Sequence, residues 1–199
     1  MRPSPDTAKP AIVLVHGAWH GAWCWRRVLP LLRNEGVEVH AVTLTGVGER
    51  AHLLSHDIDL QTHIQDVLGL IKAEELQRVL LVGHSYAGMV VTGAADRLQQ
   101  AQPGTLAGLV YLDAVVPQPG ESWSSPHTEE TRQGRIDAAR ASAGASSCVP
   151  KPSVVPTRTT HDMARQLAPI LHHYSARTGL EGCARMCQTP GGLVVAQLV

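Results

Sequence analysis

A serine lies at the centre of the segment 83–88, whose sequence is Gly-His-Ser-Tyr-Ala-Gly. The apolar, β-branched run before it predicts a buried strand, and the apolar residues after it are compatible with a helix. A serine at a sharp turn between a strand and a helix is typical of a nucleophile elbow. Gly83 provides the small residue that such a turn needs, and Ala87 departs from the usual glycine by one methyl group. The alternative is a buried strand that ends in an ordinary turn with a serine, but the strand before Ser85 and the helix after it favour the elbow.

The elements around Ser85 predict an α/β fold with a doubly wound, mostly parallel sheet. Strands and helices alternate over residues 11–116, and strands joined in this way run parallel through right-handed crossovers. The sites of such sheets lie at the carboxyl ends of the strands, where we expect Ser85, Asp113 and the segment 16–19. The predicted strands are 11–15, 37–44, 78–82 and 106–116, and the predicted helices are 23–32, with Pro30 as a kink or break, 59–73 with Asp59 as N-cap, and a third that ends near Gln99.

Composition restricts the classes of function. The chain has 199 residues, of which 44% are hydrophobic, and this suits one domain with a hydrophobic core. Its formal net charge is zero, so it lacks the positive charge expected of a protein that binds nucleic acid. Residues 1–10 are polar and Pro-rich, and no apolar run could span a bilayer, so we expect neither a signal peptide nor a membrane partner. The four cysteines are then expected to be free thiols, and the protein to be cytoplasmic and without a cofactor.

The chain changes character after Val116. The sequence predicts a loop over 117–126, an exposed helix over 128–143, a weak helix over 161–171 and one short strand over 193–199. We therefore predict a single domain over 1–199, in which 11–116 form the core sheet, 117–168 a lid-like insert and 169–199 an atypical tail.

Four segments together carry a resemblance to a known family. Residues 11–123 resemble the α/β-hydrolase fold, and within it the branch of small esterases that includes plant methylesterases, hydroxynitrile lyases and their bacterial relatives. The four motifs occur in the family's order and spacing, so chance agreement is remote. The matching segments are VLVHGAWHGAW (13–23), LTGVGER (44–50), VGHSYAGMV (82–90) and LVYLDAVVP (109–117).

The resemblance implies roles for individual residues. Ser85 matches the family's nucleophile, and the backbone N–H groups of Ala18 and Tyr86 match its oxyanion hole. Lyases of this branch carry a threonine after the matching histidine, where this chain has Gly17, as the esterases do. The resemblance therefore implies hydrolysis of a small ester, with Gly17, Trp19 and His20 at the substrate, although packing is an equal alternative for Trp19 and His20.

The acid and base of the family's triad have no counterpart in this pattern. The family places an Asp after a later strand and a His after the last strand, and no such units follow Pro117. Asp113 is the candidate acid, against the alternative that it shapes the loop after its strand. The downstream histidines are His127, His161, His172 and His173, and none follows a predicted strand.

Because no strand–Asp and strand–His units follow Pro117, we hypothesise that the chain is a truncated member of the family with a frame-shifted tail. Two alternatives for its function remain. A non-catalytic relative would keep the pocket for a small molecule and lack the triad. A metal site from His172, His173, Cys183 and Cys187 is disfavoured, because adjacent side chains do not face one ion on a helix, so no metal is expected. If the last strands are absent, the strand 106–116 has an open edge, which predicts marginal stability or homo-oligomers.

Overall fold

The computed structural model describes residues 9–55, 57–122, 127–134 and 137, and the backbone of two strands at 186–188 and 194–198. The predicted helix 161–171 and the histidines at 161, 172 and 173 lie outside the described residues, as do Cys148 and Cys183. Within the described part, no helix is both long and apolar enough to cross a membrane.

In the part of the chain that the structure describes, six strands form one sheet in the order β2-β1-β3-β4-β6-β5. All neighbours are parallel except β5 and β6. The predicted apolar strands are confirmed. Their continuous apolar and β-branched residues are what parallel strands covered on both faces need. The strands are β1 (Ala11–Val15), β2 (Val39–Val42), β3 (Val79–Ser85), β4 (Leu106–Ala114), β5 (Met186–Gln188) and β6 (Val194–Leu198).

Helices cover both faces of this sheet, as a doubly wound fold requires. The α-helices that pack on the sheet in the described part of the chain are α1 (Leu29–Asn34), α2 (Leu60–Ala73) and α3 (Ala87–Ala101). Alternate residues of β1 divide between the faces: Val13 packs with α2 and α3, and Ile12 packs with α1 and Trp25. The period of two along the strand therefore builds two separate apolar layers from one segment.

Helix α2 begins as the sequence predicts. The Asp59 side chain accepts from the Thr62 backbone N–H at 2.9 Å, and the Thr62 hydroxyl accepts from the Asp59 backbone N–H at 3.3 Å. This reciprocal capping box fixes the start of α2. Its apolar stripe, Ile64, Val67 and Ile71, is buried against the sheet.

The predicted helix over 23–32 is interrupted, in keeping with the expected kink or break at Pro30, but the interruption lies before the proline. The structure has a 3-10 helix at Ala22–Trp25 and a separate α1 whose first turn contains Pro30. Proline has no backbone N–H to donate, so it fits the first turn of a helix and not an interior position. The predicted loop 45–50 is also partly helical, because a 3-10 helix spans Gly48–Leu53. Of the predicted helix 128–143, residues 129–134 are helical and most of the rest is outside the described part.

The predicted open edge of β4 is occupied. Strand β6 lies parallel to β4 over five residue pairs, from Gly108 with Val194 to Leu112 with Leu198. The predicted strand 193–199 is confirmed, and part of the tail completes the sheet. The sequence did not indicate this pairing because parallel partners separated by about eighty residues share no local signal.

Candidate functional site

The turn after β3 holds Ser85 in a strained backbone conformation. Its φ of 54° lies in the left-handed region, which residues other than glycine rarely adopt. A Cβ on Gly83 would lie 2.8 Å from the Ala87 carbonyl oxygen, so only glycine fits there. This close approach is what a strand, a sharp turn and a helix in direct succession require, and the predicted elbow geometry is present.

The first amides of α3 face the same end of the sheet. Tyr86 is the N-cap of this helix, and no side chain caps it. Ala87 is fully buried, so the methyl group that departs from the usual motif is accommodated inside the core. A helix start without a side-chain cap presents positive partial charge to a group near Ser85.

The loop after β1 lies directly against the elbow. A Cβ on Gly17 would be 3.0 Å from both Ser85 Cβ and His84 Nδ1, so the backbone at Gly17 touches the serine. Ala18 is the next residue and is half-buried, and Trp19 has a φ of 63°. The structure therefore brings together the segment 17–19 and Ser85, which the sequence placed at the ends of different strands.

His16 anchors this loop from beneath. Its Nε2 accepts from the Leu44 backbone N–H at 3.0 Å, so Nδ1 carries the proton and donates to the Gly17 carbonyl oxygen at 2.7 Å. The ring is fully buried. Burial lowers the pKa of His16 from 6.5 to about 4, so the ring is neutral near pH 7 and joins the ends of β1 and β2.

Thr43 holds the far side of the same loop. Its hydroxyl accepts from the Ala22 backbone N–H at 2.8 Å and donates to Glu49 Oε1 at 2.5 Å. The Thr43 hydrogen bond is the main cause that lowers the pKa of Glu49 below its ordinary value. The segment 44–50 thus supports the loop that contains Ala18.

Aromatic rings line one side of the site. His20 stacks on Trp23 with ring centroids 5.6 Å apart, and its Nδ1 donates to the Ala18 carbonyl oxygen at 2.6 Å. His84 meets His20 edge to face at 6.3 Å, and burial lowers the pKa of His84 below its ordinary value. Trp19 is exposed over half of its surface. The predicted substrate residues His20 and Trp19 therefore lie on the loop that touches Ser85.

Asp113 lies at the same end of the sheet, one residue before Ala114, the partner of Ser85 in the ladder. Its φ of 43° and its exposed side chain mark an irregular end of β4. The carboxylate acts on His84 through space and favours the protonated ring. Within the residues that the structure describes, no histidine is hydrogen-bonded to Asp113 or to the Ser85 hydroxyl.

His63 was not identified from the sequence, and it reaches the elbow from α2. Its Nδ1 lies 2.9 Å from the Tyr86 hydroxyl, and its Nε2 lies 3.1 Å from the Thr45 carbonyl oxygen. The segment 44–50 could have led to His63, because it resembles the family but had no assigned role, and its Thr45 carbonyl oxygen bonds to His63. Over the described ranges, no three potential metal ligands are grouped.

The comparisons with known proteins agree with this architecture. Residues 12–194 match the model of the Alpha/beta hydrolase family. The chain is 57% identical over 110 residues to a carbendazim hydrolyzing esterase of Nocardioides sp., covering 55% of this chain and 44% of the relative. It is 35% identical over 127 residues to methyl jasmonate esterase 1 of Vitis vinifera, covering 61% of this chain and 46% of that protein.

A solved structure gives the same result at the level of the fold. It is an extracellular alpha/beta-hydrolase from a Paenibacillus species, with a TM-score of 0.58 and 26% identity over 67% of this chain and 52% of that one. The chain therefore spans only about half the length, or less, of these three relatives. The resemblance to small esterases, including plant methylesterases, is confirmed for the part that is shared.

Proposed function

Since the chain belongs to the Alpha/beta hydrolase family, we propose that it is a serine esterase that hydrolyses small carboxylic esters. The observation that carries the proposal is the strained Ser85, with a φ of 54° at the carboxyl end of β3. Strain of this kind costs of order 1–3 kcal/mol and persists where the fold enforces it, often at functional sites. Gly17 lies against the serine, as expected for a loop that contributes to an oxyanion site.

Ser85 is the proposed nucleophile. Its Oγ attacks the ester carbonyl carbon and its proton passes to a base, which gives a tetrahedral oxyanion. Collapse of that intermediate releases the alcohol and leaves an acyl-serine, which water then hydrolyses. The backbone N–H groups of Ala18 and Tyr86 are the proposed donors to the oxyanion, and one such donor contributes about 3–4 kcal/mol to the transition state.

The names of the relatives support an ester as the substrate. They include an esterase that hydrolyses carbendazim and a methyl jasmonate esterase. The wall formed by His20, Trp23 and Trp19 offers ring faces beside the serine, so we propose that His20 and Trp19 contact the substrate. Lyases of the branch that this chain resembles carry a threonine where this chain has Gly17, and an added Cβ there would lie 3.0 Å from Ser85 Cβ, which favours ester hydrolysis.

The general base that would accept the Ser85 proton is not assigned to any described residue. None of the described histidines bonds to the Ser85 hydroxyl, and Asp113 remains the proposed acid on its position alone. This observation favours a second candidate function, a non-catalytic relative that binds a small molecule at the same pocket.

The free Cys24 thiol fits a reducing compartment and supports a cytoplasmic location, which stays a prediction.

Active-site labelling tests the proposed nucleophile. A fluorophosphonate probe should add once per chain, because Ser85 Oγ displaces fluoride at phosphorus, and mass spectrometry should place the adduct on the peptide that contains Ser85. The Ser85→Ala variant should remain unlabelled, whereas Ser55→Ala, which removes an exposed hydroxyl outside the site, should label like the wild type. Labelling that survives in Ser85→Ala would refute the assignment.

A further inference from the structure

Side-chain hydrogen bonds attach the segment 44–50 to α2. Asp66 accepts from the Thr45 backbone N–H at 2.6 Å, from the Thr45 hydroxyl at 2.7 Å and from Arg50 Nη1 at 2.8 Å. Its side chain is only 8% exposed, so these three donors and the Arg50 charge compensate its burial. Thr45 is therefore fixed relative to the helix on which Asp66 lies.

His63 lies one turn before Asp66 on α2 and bonds through both ring nitrogens. The Thr45 carbonyl oxygen, 3.1 Å from Nε2, only accepts, so we assign the proton to Nε2. The unprotonated Nδ1 then accepts from the Tyr86 hydroxyl at 2.9 Å, with the two rings edge to face at 5.7 Å. Burial raises the pKa of Tyr86 to about 12, so its hydroxyl keeps the proton that it donates.

We propose that His63, Thr45 and Asp66, which we call the Tyr86 relay, fix the direction of the Tyr86 backbone N–H. This inference rests on the proposed function, because that N–H is a proposed oxyanion donor. Relaxation of the strained φ of Ser85 is a rotation about its own N–Cα bond, which would carry the following peptide, the Tyr86 N–H and the Tyr86 side chain with it. With its hydroxyl held by His63, the ring opposes this rotation.

The relay gives the segment 44–50 a role at the site. Thr45 and Arg50 belong to that segment, and their hydrogen bonds go to His63 and Asp66. Thr45 acts through His63, and Arg50 acts through Asp66, so we class them as positioning residues. The Tyr86 relay thus connects the segment 44–50 to the residue that follows Ser85.

Two single variants and their combination test the relay. Tyr86→Phe removes only the hydroxyl, and His63→Leu removes its acceptor. Each should lower kcat about tenfold. Deletion of an oxyanion donor lowers kcat about a hundredfold or more, and these variants only misdirect the donor. KM should stay unchanged, because the oxyanion exists only in the transition state. The double variant should lose no more than either single variant, because both break the same bond.

Two further variants separate positioning from general stability. His63→Asn keeps an acceptor near the position of Nδ1 and should recover part of the lost kcat. His40→Leu is the matched control: His40 is a half-buried histidine on the outer strand β2, bonded to Glu38 at 3.1 Å, and its loss should leave kcat unchanged. A full kcat in Tyr86→Phe, or an equal loss in His40→Leu, would overturn the proposal.

The amide resonance at position 86 decides the question independently of turnover. In ¹H–¹⁵N spectra, the amide at position 86 should shift and exchange faster with solvent in both Tyr86→Phe and His63→Leu, and it should keep its wild-type behaviour in His40→Leu. Absence of Ser85-dependent hydrolysis in the wild type would refute the proposed function and leave this readout intact. An unchanged amide in His63→Leu would refute the relay, whether or not the wild type turns over.

Discussion

Single residues at the ends of β1 and β3 determine the chemistry of the site. Ser85 and Gly83 could be identified from the sequence because an elbow is a local structure, with all of its requirements within five positions. His63 could not, because it contacts Tyr86 only after α2 has packed beside α3. The base was not found from the sequence, and among the described residues no side chain fills that role.

His16 should make stability depend on pH. Burial lowers the pKa of His16 from 6.5 to about 4, so between these values the unfolded chain binds a proton that the folded chain does not. The free energy of unfolding should therefore fall as pH drops through this window. From pH 7 to pH 5, this one group should lower it by about 2 kcal/mol.

Urea unfolding at the two pH values checks this expectation. The His16→Gln variant should be less stable at pH 7, because it loses a buried hydrogen bond, yet it should lose about 2 kcal/mol less than the wild type on going to pH 5. The contribution of His84, whose pKa is also lowered, is common to both proteins. An equal decline of the free energy of unfolding in both proteins would show that His16 does not cause this pH dependence.

At the scale of elements, the packing of helices against strands positions Ser85 and the loop after β1. The helix α2 could be predicted with its cap because its stripe of apolar residues and its N-cap are local signals. The segment 23–32 was predicted as a helix with a kink or break at Pro30. The interruption precedes the proline, because a residue without an N–H fits the first turn of α1.

The start of α3 lies so close to the end of β4 that Gly88 cannot carry a side chain. A Cβ there would lie 1.9 Å from the Val115 carbonyl oxygen, whereas Gly69, in the exposed interior of α2, has no atom within 4 Å of an added Cβ. Gly88→Ala should therefore lower the free energy of unfolding by more than about 3 kcal/mol and displace the elbow.

Gly69→Ala provides the matched control for thermal or chemical unfolding. It should stabilise the protein by about 0.5–1 kcal/mol, because alanine restricts the unfolded chain more than glycine does. If Gly88→Ala were as stable as the wild type, the close contact between α3 and the end of β4 would be wrong.

At the scale of the whole molecule, the sheet combines a region of clear sequence pattern with two strands from the tail. Alternating strands and helices predict that β1 to β4 run parallel, and the structure arranges them in the order β2-β1-β3-β4. The addition of β6 and β5 could not be predicted, because strand pairing across the intervening chain depends on the geometry of an edge that exists only in the folded protein. An oligomer formed through the edge of β4 would require β6 to leave the sheet.

Ala196→Pro tests whether β6 protects that edge. Ala196 pairs with Val110 on one side and with Met186 on the other, so a proline there lies inside the sheet, where its ring and missing N–H disrupt the ladder. The variant should melt about 5 °C or more below the wild type and self-associate in light scattering. Ala196→Ser keeps the N–H and should behave like the wild type. Unchanged melting and mass in Ala196→Pro would show that β6 does not contribute to the sheet.

The most direct measurement of the central claim is a time course of p-nitrophenyl acetate hydrolysis by the full chain, with Ser85→Ala and Ser55→Ala measured in parallel. We expect sustained turnover in the wild type and in Ser55→Ala, and only the uncatalysed rate in Ser85→Ala. Equal rates in all three proteins would contradict the role of Ser85. A single burst without later turnover would contradict the esterase and favour a binding protein that retains the elbow.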